Sequence, residues 1–191
     1  MSRRNKKPKV LLIFILIALM LALGIVGYQL AEKYFYKLDY PDEISKYAAE
    51  YGQDPYLVAS VIYVESKYQV DAVSPKGASG LMQIMPDVGQ WIAEKLGEED
   101  DYTESSLFDP ATNIRYGCWM LDFLDERYNG NLELMLAGYN AGIGNVQKWQ
   151  SNPDYSSDGT NLDVIPFPET ENYIQRVKDS YAIYKRLYNN L

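Results

Sequence analysis

The sequence predicts a mainly helical protein, in which one apolar membrane-spanning helix precedes a single helical domain with a small loop and strand region. Three observations carry this prediction. Residues 10–28 contain no charge, helix-capping patterns recur along residues 41–191, and any strand is confined to residues 67–84. A chain of 191 residues accommodates one domain and a short appendage rather than two full domains.

The N-terminal segment is predicted to be a membrane anchor. As a helix, residues 10–28 would span about 28 Å at about 1.5 Å per residue, close to the hydrocarbon thickness of a bilayer. Residues 1–9 carry five basic side chains and no acidic one. This segment is therefore expected to stay in the cytoplasm while the remainder crosses the membrane. The aromatic residues Tyr34, Phe35 and Tyr36 then fall near the outer interface, where such rings are favoured.

This interpretation divides the chain into four parts. They are a basic cytoplasmic N-terminus (1–9), a signal-anchor helix (10–30), a juxtamembrane linker (31–41) and a domain on the extracytoplasmic side of the cell membrane (42–191). The alternative is a cleavable signal peptide with a small-x-small site at Ala22-Leu23-Gly24, although the apolar run exceeds the usual signal core. A lipoprotein anchor is excluded, because the single cysteine of the chain is Cys118.

Composition excludes several classes of site. The chain has no histidine and one cysteine, which rules out a Ser-His-Asp triad, a Cys-His pair, an imidazole zinc site and an intrachain disulfide. We therefore expect neither a metal nor a cofactor, and carboxylates remain for acid/base chemistry. The net charge is −8 and the first nine residues contribute +5, so the rest carries −13. An acidic body argues against nucleic acid as a partner.

Capping patterns place the helices of the domain. Asp54-Pro55 combines an N-cap with a proline at the first helical position and predicts a helix to about Ser66, and Asp109-Pro110 predicts a longer one to about Tyr128. Further helices are predicted from 41 to Gly52, from a capping box of Asp87 and Gln90 to Gly97, over 132–140, after Gly144, and from a Thr170 cap almost to Leu191. The segments 67–80 and 151–168 are predicted as loops.

One carboxylate stands out on physical grounds. Glu65 lies at the end of a predicted helix, directly after Val61-Ile62-Tyr63-Val64. Burial among apolar side chains disfavours the charged form of a carboxyl group, and the negative end of a helix opposes ionisation further. Both effects raise the expected pKa of Glu65 and keep it protonated near neutral pH, as a general acid requires. The alternative is a glutamate that simply reaches water at a helix end.

A series of short motifs begins at this glutamate. They are Glu65-Ser66, Ser74, the run GASGLMQIMP over 77–86, Asn113-Ile114, Gly117, the run AGYNAG over 137–142, Ile165-Pro166-Phe167, Glu169-Thr170 and Tyr173. In this order they resemble the signature of the soluble lytic transglycosylase (SLT) family, over about residues 42–188. Gly138 departs from the pattern, in which alanine is usual. The resemblance implies a lysozyme-like fold of the α+β class, mainly helical, with a groove for a glycan strand.

The resemblance also implies an activity and a site. A membrane-anchored lytic transglycosylase would cleave the β-1,4 bond between N-acetylmuramic acid and N-acetylglucosamine in the glycan strands of peptidoglycan. Glu65 matches the single catalytic glutamate, which protonates the glycosidic oxygen. It then deprotonates the C6 hydroxyl of the muramic acid, which closes a 1,6-anhydro ring without consuming water. The substrate-binding residues that the resemblance implies are Ser66, Ser74, Gln83, Met85, Tyr139, Asn140, Glu169 and Tyr173.

Three alternatives to this function are open. A goose-type lysozyme shares the fold but hydrolyses the bond, typically with a second carboxylate that positions water; Asp71 and Asp87 are the candidates near the motif. A tethered, non-catalytic glycan-binding module would keep the groove and lose the acid, and the intact Glu65 argues against it. A helical adaptor that faces the cytoplasm is disfavoured by the basic residues ahead of the anchor.

Overall fold

A computed structural model describes residues 7–188 and residue 191. The chain divides into two compact units, Met1–Lys37 and Leu38–Leu191. The predicted apolar helix is present in the first unit as α1 (Lys7–Phe35), which continues into the segment predicted as a linker. Its stretch Leu11–Phe35 is long and apolar enough to cross a membrane. Residues 1–6 of the predicted cytoplasmic segment lie outside the described residues.

The described part of the second unit contains seven α-helices and one 3₁₀ helix. They are α2 (Pro41–Glu50), α3 (Pro55–Ser66), α4 (Pro86–Leu96), the 3₁₀ helix Glu104–Phe108, α5 (Pro110–Arg127), α6 (Leu132–Ala141), α7 (Ile143–Gln150) and α8 (Pro168–Leu187). Two isolated β-bridges, Val73 with Ser79 and Ser79 with Ile84, fall in the region to which strands were confined. The prediction of a mainly helical domain is confirmed.

Two helices begin where their capping sequences predicted. The Asp54 carboxylate accepts a hydrogen bond from the backbone N–H of Tyr56 at 2.9 Å, and the Asp109 carboxylate accepts one from Thr112 at 2.8 Å. A proline follows each cap at the first helical position. Such a cap contributes about 0.5–2 kcal/mol to helix stability. Because α3 carries Glu65, the Asp54 cap determines where the helix that bears the candidate acid begins.

The predicted capping box at the start of α4 is wrong. The helix begins at Pro86 with Met85 as its N-cap, so Asp87 and Gln90 already lie inside the helix. Proline at the first helical position sets the start, because its fixed φ suits a helix and its missing N–H needs no partner there. The predicted end is correct, since Gly97 adopts a left-handed conformation with φ 71°.

The predicted cap of the last helix is also wrong. α8 begins at Pro168, with Phe167 as its N-cap, and Thr170 lies within the first turn. The Thr170 hydroxyl instead donates a hydrogen bond to Oδ1 of Asn140 at 2.9 Å. A residue predicted to act locally therefore connects the start of α8 to the end of α6.

The centre of the domain is α3, which packs most extensively against α8. Val58, Val61 and Ile62 on α3 are fully buried, as are Val177 and Tyr184 on α8. Burying an aliphatic side chain of this size contributes about 1.5–3 kcal/mol relative to leaving it exposed. The position of α3, and with it the place where this helix ends, is thus fixed by the core.

Candidate active site

The end of α3 opens into a cleft with a volume of about 610 Å³. The predicted site residues that line it are Glu65, Ser74, Gln83, Met85, Tyr139, Asn140 and Glu169. Side chains to which the sequence interpretation gave no role also line it, among them Lys76 in the loop, Val88 on α4 and Met120 on α5. Residues from five helices and one loop therefore meet in one place.

A sharp turn in the backbone leaves Glu65 at the helix end. Lys67 and Tyr68 both adopt left-handed conformations, with φ of 51° and 65°, and the helix ends at Ser66. Two successive non-glycine residues in this region are uncommon. Burial of the Tyr68 ring holds the turn in place, and its hydroxyl donates a hydrogen bond back to the carbonyl of Ala59 at 3.4 Å. The helix therefore ends one residue after Glu65.

Burial raises the pKa of the Glu65 carboxyl from an ordinary value of 4.5 to about 7. Two groups on α8 oppose this shift, since the Tyr173 hydroxyl and the positive charge of Arg176 both lower the pKa of Glu65. Desolvation is the larger effect, and the predicted direction of the shift is confirmed. At neutral pH both the protonated and the ionised form are populated, which suits a group that gives and then takes a proton.

Two tyrosines flank the carboxyl group. The Tyr173 side chain is 1% exposed and does not line the cleft. Its hydroxyl interacts with Glu65 without the geometry of a full hydrogen bond, and it forms no hydrogen bond with any other described residue. The Tyr139 hydroxyl donates to the Met82 carbonyl at 2.9 Å. Burial, with Glu65 nearby, raises the pKa of both phenols, so both rings stay neutral at physiological pH.

The loop between α3 and α4 supplies two polar groups to the cleft. Oγ of Ser74 accepts a hydrogen bond from the N–H of Ala78 at 3.0 Å, which leaves the hydroxyl proton available to a ligand. The Gln83 backbone is left-handed with φ 50°, and its side-chain nitrogen donates to the carbonyls of Ala72 and Gly80 at 3.1 and 2.9 Å. The Gln83 side-chain oxygen makes no hydrogen bond within the described residues and can accept one from a ligand.

Asn113 holds this loop, although the sequence interpretation gave it no role. It is fully buried; its Oδ1 accepts from the N–H of Met82 at 2.7 Å, and its Nδ2 donates to the carbonyls of Ser79 and Leu107 at 3.0 and 2.7 Å. Gly80 permits this close approach, because its φ is 78° and a Cβ there would collide with Leu107 and Asn113. The signal in the sequence was a polar residue on the buried face of a helix, where a partner is obligatory.

α6 and α8 complete the cleft on another side. Oδ1 of Asn140 is occupied by the Thr170 hydroxyl, which leaves the side-chain nitrogen of Asn140 available as a donor. Glu169 is exposed and lines the cleft. Of the acidic residues that the structure describes, Glu65 and Glu169 line the cleft, and Asp71 and Asp87 do not.

Ser66 does not reach the cleft. Its side chain is buried, and its hydroxyl donates to the carbonyl of Ile62, one turn earlier in α3, at 3.2 Å. The structure therefore brings Ser66 and Tyr173 close to Glu65 in the fold but not to the cleft surface. Across the described part of the chain, no group of three or more His, Cys, Asp or Glu side chains is placed to hold a metal ion.

Comparisons with known proteins identify the family of this chain. The sequence model of the transglycosylase SLT domain matches residues 42–161. The soluble lytic murein transglycosylase of Salmonella typhimurium strain LT2 is 30% identical over 151 residues, which cover 78% of this chain and 23% of the relative. The membrane-bound lytic murein transglycosylase C of Mannheimia succiniciproducens is 29% identical over 156 residues, which cover 71% of this chain and 44% of the relative.

A solved structure shares the fold. It is an inactive mutant of the lytic transglycosylase Slt from Pseudomonas aeruginosa in which a glutamate is replaced by glutamine. The TM-score is 0.70 at 31% identity, covering 81% of this chain and 25% of that one. The chain thus spans about a quarter of the length of the soluble relatives it matches. The predicted lysozyme-like helical domain is confirmed, and the chain belongs to the transglycosylase SLT domain family.

Proposed function

We propose that this protein is a membrane-anchored lytic transglycosylase. Its substrate is peptidoglycan, and it cleaves the β-1,4 bond between N-acetylmuramic acid and N-acetylglucosamine without consuming water. One observation carries the proposal: in a chain of the SLT family, Glu65 lies on the wall of a cleft and burial raises its pKa to about 7. The names of the relatives, both lytic murein transglycosylases, support the substrate.

In the first step Glu65 acts as a general acid. The protonated carboxyl donates its proton to the glycosidic oxygen, and the bond between that oxygen and C1 of the muramic acid breaks. The carboxylate that remains is favoured by the Tyr173 hydroxyl and by the charge of Arg176, since both lower the pKa of Glu65. Burial and these two neighbours thus balance the two protonation states that the reaction needs.

In the second step the same group acts as a base. The Glu65 carboxylate takes the proton of the C6 hydroxyl, whose oxygen attacks C1 and closes the 1,6-anhydro ring. The carboxyl is protonated again when the product leaves. Glycosidases that add water use two carboxyl groups, whereas here the sugar supplies its own nucleophile and one carboxyl suffices.

The remaining cleft residues are proposed to orient the sugars. The hydroxyl proton of Ser74 and the side-chain nitrogen of Asn140 can donate to a sugar, and the side-chain oxygen of Gln83 can accept from one. A few polar groups of this kind on an otherwise apolar wall fix the orientation of a ligand. Met85 and Tyr139 supply apolar wall surface, and Glu169 contributes a charge at the rim.

The first helix is proposed to anchor the enzyme, which keeps the division into residues 1–9, 10–30, 31–41 and 42–191. The apolar stretch Leu11–Phe35 and the name of the membrane-bound relative support it. After lysis the full-length chain should stay in the membrane pellet in high salt. Protease added to intact protoplasts should remove the domain, which would place it outside the cell. A shortened chain in the soluble fraction would show instead that the segment is a cleaved signal peptide.

Mass spectrometry of the products tests the reaction. The detergent-solubilised full chain is incubated with purified peptidoglycan, with Glu65→Gln as the inactive control. Products that end in 1,6-anhydromuramic acid, lighter by one water than hydrolysed ends, are expected. Ordinary reducing ends would identify a hydrolase and direct attention to Glu169, the other described carboxylate of the cleft. Binding of strands without any product would identify a glycan-binding module.

A further inference from the structure

Three aromatic rings form a partly exposed surface on α4 and α5. The rings of Trp119 and Phe123 are nearly parallel, with centroids 5.5 Å apart and an interplanar angle of 6°. Trp91 meets both of them edge to face, each at a centroid distance of 5.1 Å. All three side chains are half-buried. We call Trp91, Trp119 and Phe123 the aromatic surface.

Helix geometry shows that these rings point away from the core. Leu121 lies midway between Trp119 and Phe123 in sequence and is fully buried. Residues two positions apart project about 200° apart around an α-helix, so both rings leave α5 on the side opposite to Leu121. Trp91 has the same relation to the fully buried Ala93 on α4. On an amphipathic helix this outward side ordinarily carries polar residues.

The aromatic surface continues the wall of the cleft. On α4, Val88 lines the cleft and Trp91 follows three positions later. On α5, Met120 lines the cleft and Phe123 follows three positions later. Side chains three positions apart are neighbours on a helix. On each of the two helices, a cleft residue therefore lies next to an outward aromatic ring, and the rings of the two helices contact each other.

We propose that the aromatic surface binds sugar units of the glycan strand that lie beyond those held in the cleft. The proposal rests on the proposed function, which makes a linear polymer of sugars the substrate. Such a strand must leave the cleft over an adjoining surface. The C–H faces of sugar rings pack on aromatic rings, and the sugar hydroxyls need polar partners. Asp122, three positions after Trp119 on α5, supplies a carboxylate beside the rings.

Oligosaccharides of two lengths distinguish binding on the aromatic surface from binding in the cleft. Glycan strands freed of stem peptides are fractionated into a tetrasaccharide and a dodecasaccharide, and the full chain in detergent is compared with a Trp119→Leu, Phe123→Leu double variant. The double variant should show about a tenfold higher KM for the dodecasaccharide, equivalent to about 1.4 kcal/mol. Its kcat, and its KM for the tetrasaccharide, should not change. Phe108→Leu, which removes a 36% exposed ring from the 3₁₀ helix, is the matched control and should alter neither KM.

A binding measurement makes the result independent of turnover. In a Glu65→Gln background, the affinity for the dodecasaccharide is measured by isothermal calorimetry, and a thermal melt checks the fold of each variant. Trp119→Tyr keeps a ring and should retain most of the affinity. If the double variant does not fold, the affinity of the single variant Trp119→Gln for the dodecasaccharide is compared with that of the parent instead. If the parent chain cleaves neither oligosaccharide, the proposed function fails, while the binding measurement still decides this inference.

Three results would overturn the proposal. An unchanged KM and affinity for the dodecasaccharide in a folded variant would show that the rings do not touch the strand. An equal rise in KM for both lengths would show that they support the cleft from outside. A dimer of the parent chain that is lost in the double variant, at unchanged affinity for the strand, would identify a second copy as the occupant.

Discussion

In each of two irregular segments of this domain, one polar side chain binds several groups of the segment, and the two side chains differ in burial and in their distance along the chain. Segment 67–85, which lines the cleft, is held by Asn113, a fully buried residue that lies on a helix later in the chain. Segment 151–167 contains the exposed Asp158, which binds its near neighbours in the chain. The Asp158 carboxylate accepts hydrogen bonds from the backbone N–H groups of Thr160 and Asn161 at 2.8 and 2.7 Å.

The difference between Asn113 and Asp158 shows that burial makes the loss of a hydrogen bond more costly. Water can replace the partners of Asp158, whereas each group that loses Asn113 would stay unsatisfied, at a cost of about 1–3 kcal/mol. Two carboxyl groups differ in the same way: Glu65, which lies on α3 shortly before the first segment, and Asp158, which lies within the second. Burial raises the pKa of Glu65 to about 7, while hydrogen bonds from Asn161 and Thr160 lower the pKa of Asp158. The hydrogen bonds of Asn113 are thus tertiary and buried, whereas those of Asp158 are local and exposed.

The largest expected effect separates the two carboxyl groups by activity. Glu65→Gln should lower the rate of anhydromuramic acid formation by about 10²- to 10⁴-fold, because general acid and base catalysis contributes about this much. Asp158→Asn, in the other segment, should leave the rate unchanged. Product mass spectrometry at equal protein concentration measures both. A Glu65→Gln chain with near-normal activity would remove this residue from the mechanism.

The second largest expected effect is on the free energy of unfolding, and it compares Asn113 with Asp158. Asn113→Ala should reduce the free energy of unfolding by about 3–5 kcal/mol, because three buried backbone groups lose their partner at once. Asp158→Ala should have a distinctly smaller effect, since its carboxylate is exposed. Urea denaturation at neutral pH measures the difference. Equal losses of unfolding free energy in the two variants would mean that burial does not make the hydrogen bonds of Asn113 more stabilising than those of Asp158.

The contributions of Glu65 and Asp158 to the pH dependence of stability should have opposite signs. Glu65 has an ordinary pKa of 4.5 and a folded pKa of about 7. Its contribution to the free energy of unfolding is therefore fully present below pH 4.5 and is lost as the pH rises through 7. At pH 8, Glu65→Gln should therefore be more stable than the parent chain by about 3 kcal/mol, and at pH 4 equally stable.

Asp158 supplies the opposite case. Its folded pKa lies below the ordinary 3.8, so its stabilisation is present above that value and fades as pH falls. Asp158→Asn should accordingly be less stable than the parent chain at pH 8. Thermal melts of Glu65→Gln and Asp158→Asn between pH 4 and pH 8 test both expectations. A change in stability of the same sign in both variants at pH 8 would contradict the assigned pKa shifts.

The smallest expected effect concerns the hydroxyl beside Glu65. Tyr173→Phe removes a group that lowers the pKa of Glu65, so that pKa should rise further. The fall of kcat/KM at alkaline pH, as the acid loses its proton, should then move to higher pH. Tyr155→Phe, in segment 151–167, is the control and should leave the profile unchanged. A profile that does not move would show that Tyr173 acts only in packing.

The outcome for individual residues shows how far sequence patterns reach. The caps at Asp54 and Asp109 start their helices as predicted, because a cap and its partners lie within one turn. The predicted cap at Thr170 failed, since its hydroxyl finds Asn140, thirty positions earlier in the chain. Ser66 was grouped with the cleft residues, yet its hydroxyl faces the backbone of its own helix, a direction that the order of motifs does not reveal.

Residue order alone predicts the apolar first helix, the helical class of the domain and the identity of the candidate acid. These depend on composition, on spacing within a turn and on motifs that can be read in order. The packing of the helices, in contrast, places Tyr173 and Arg176 where they oppose the pKa shift of Glu65. It also brings Asn113 to the loop and Met120 to the cleft. Residues this far apart in the chain meet because helices pack, and burial, which sets both the hydrogen bonds and the pKa values, exists only after they have packed.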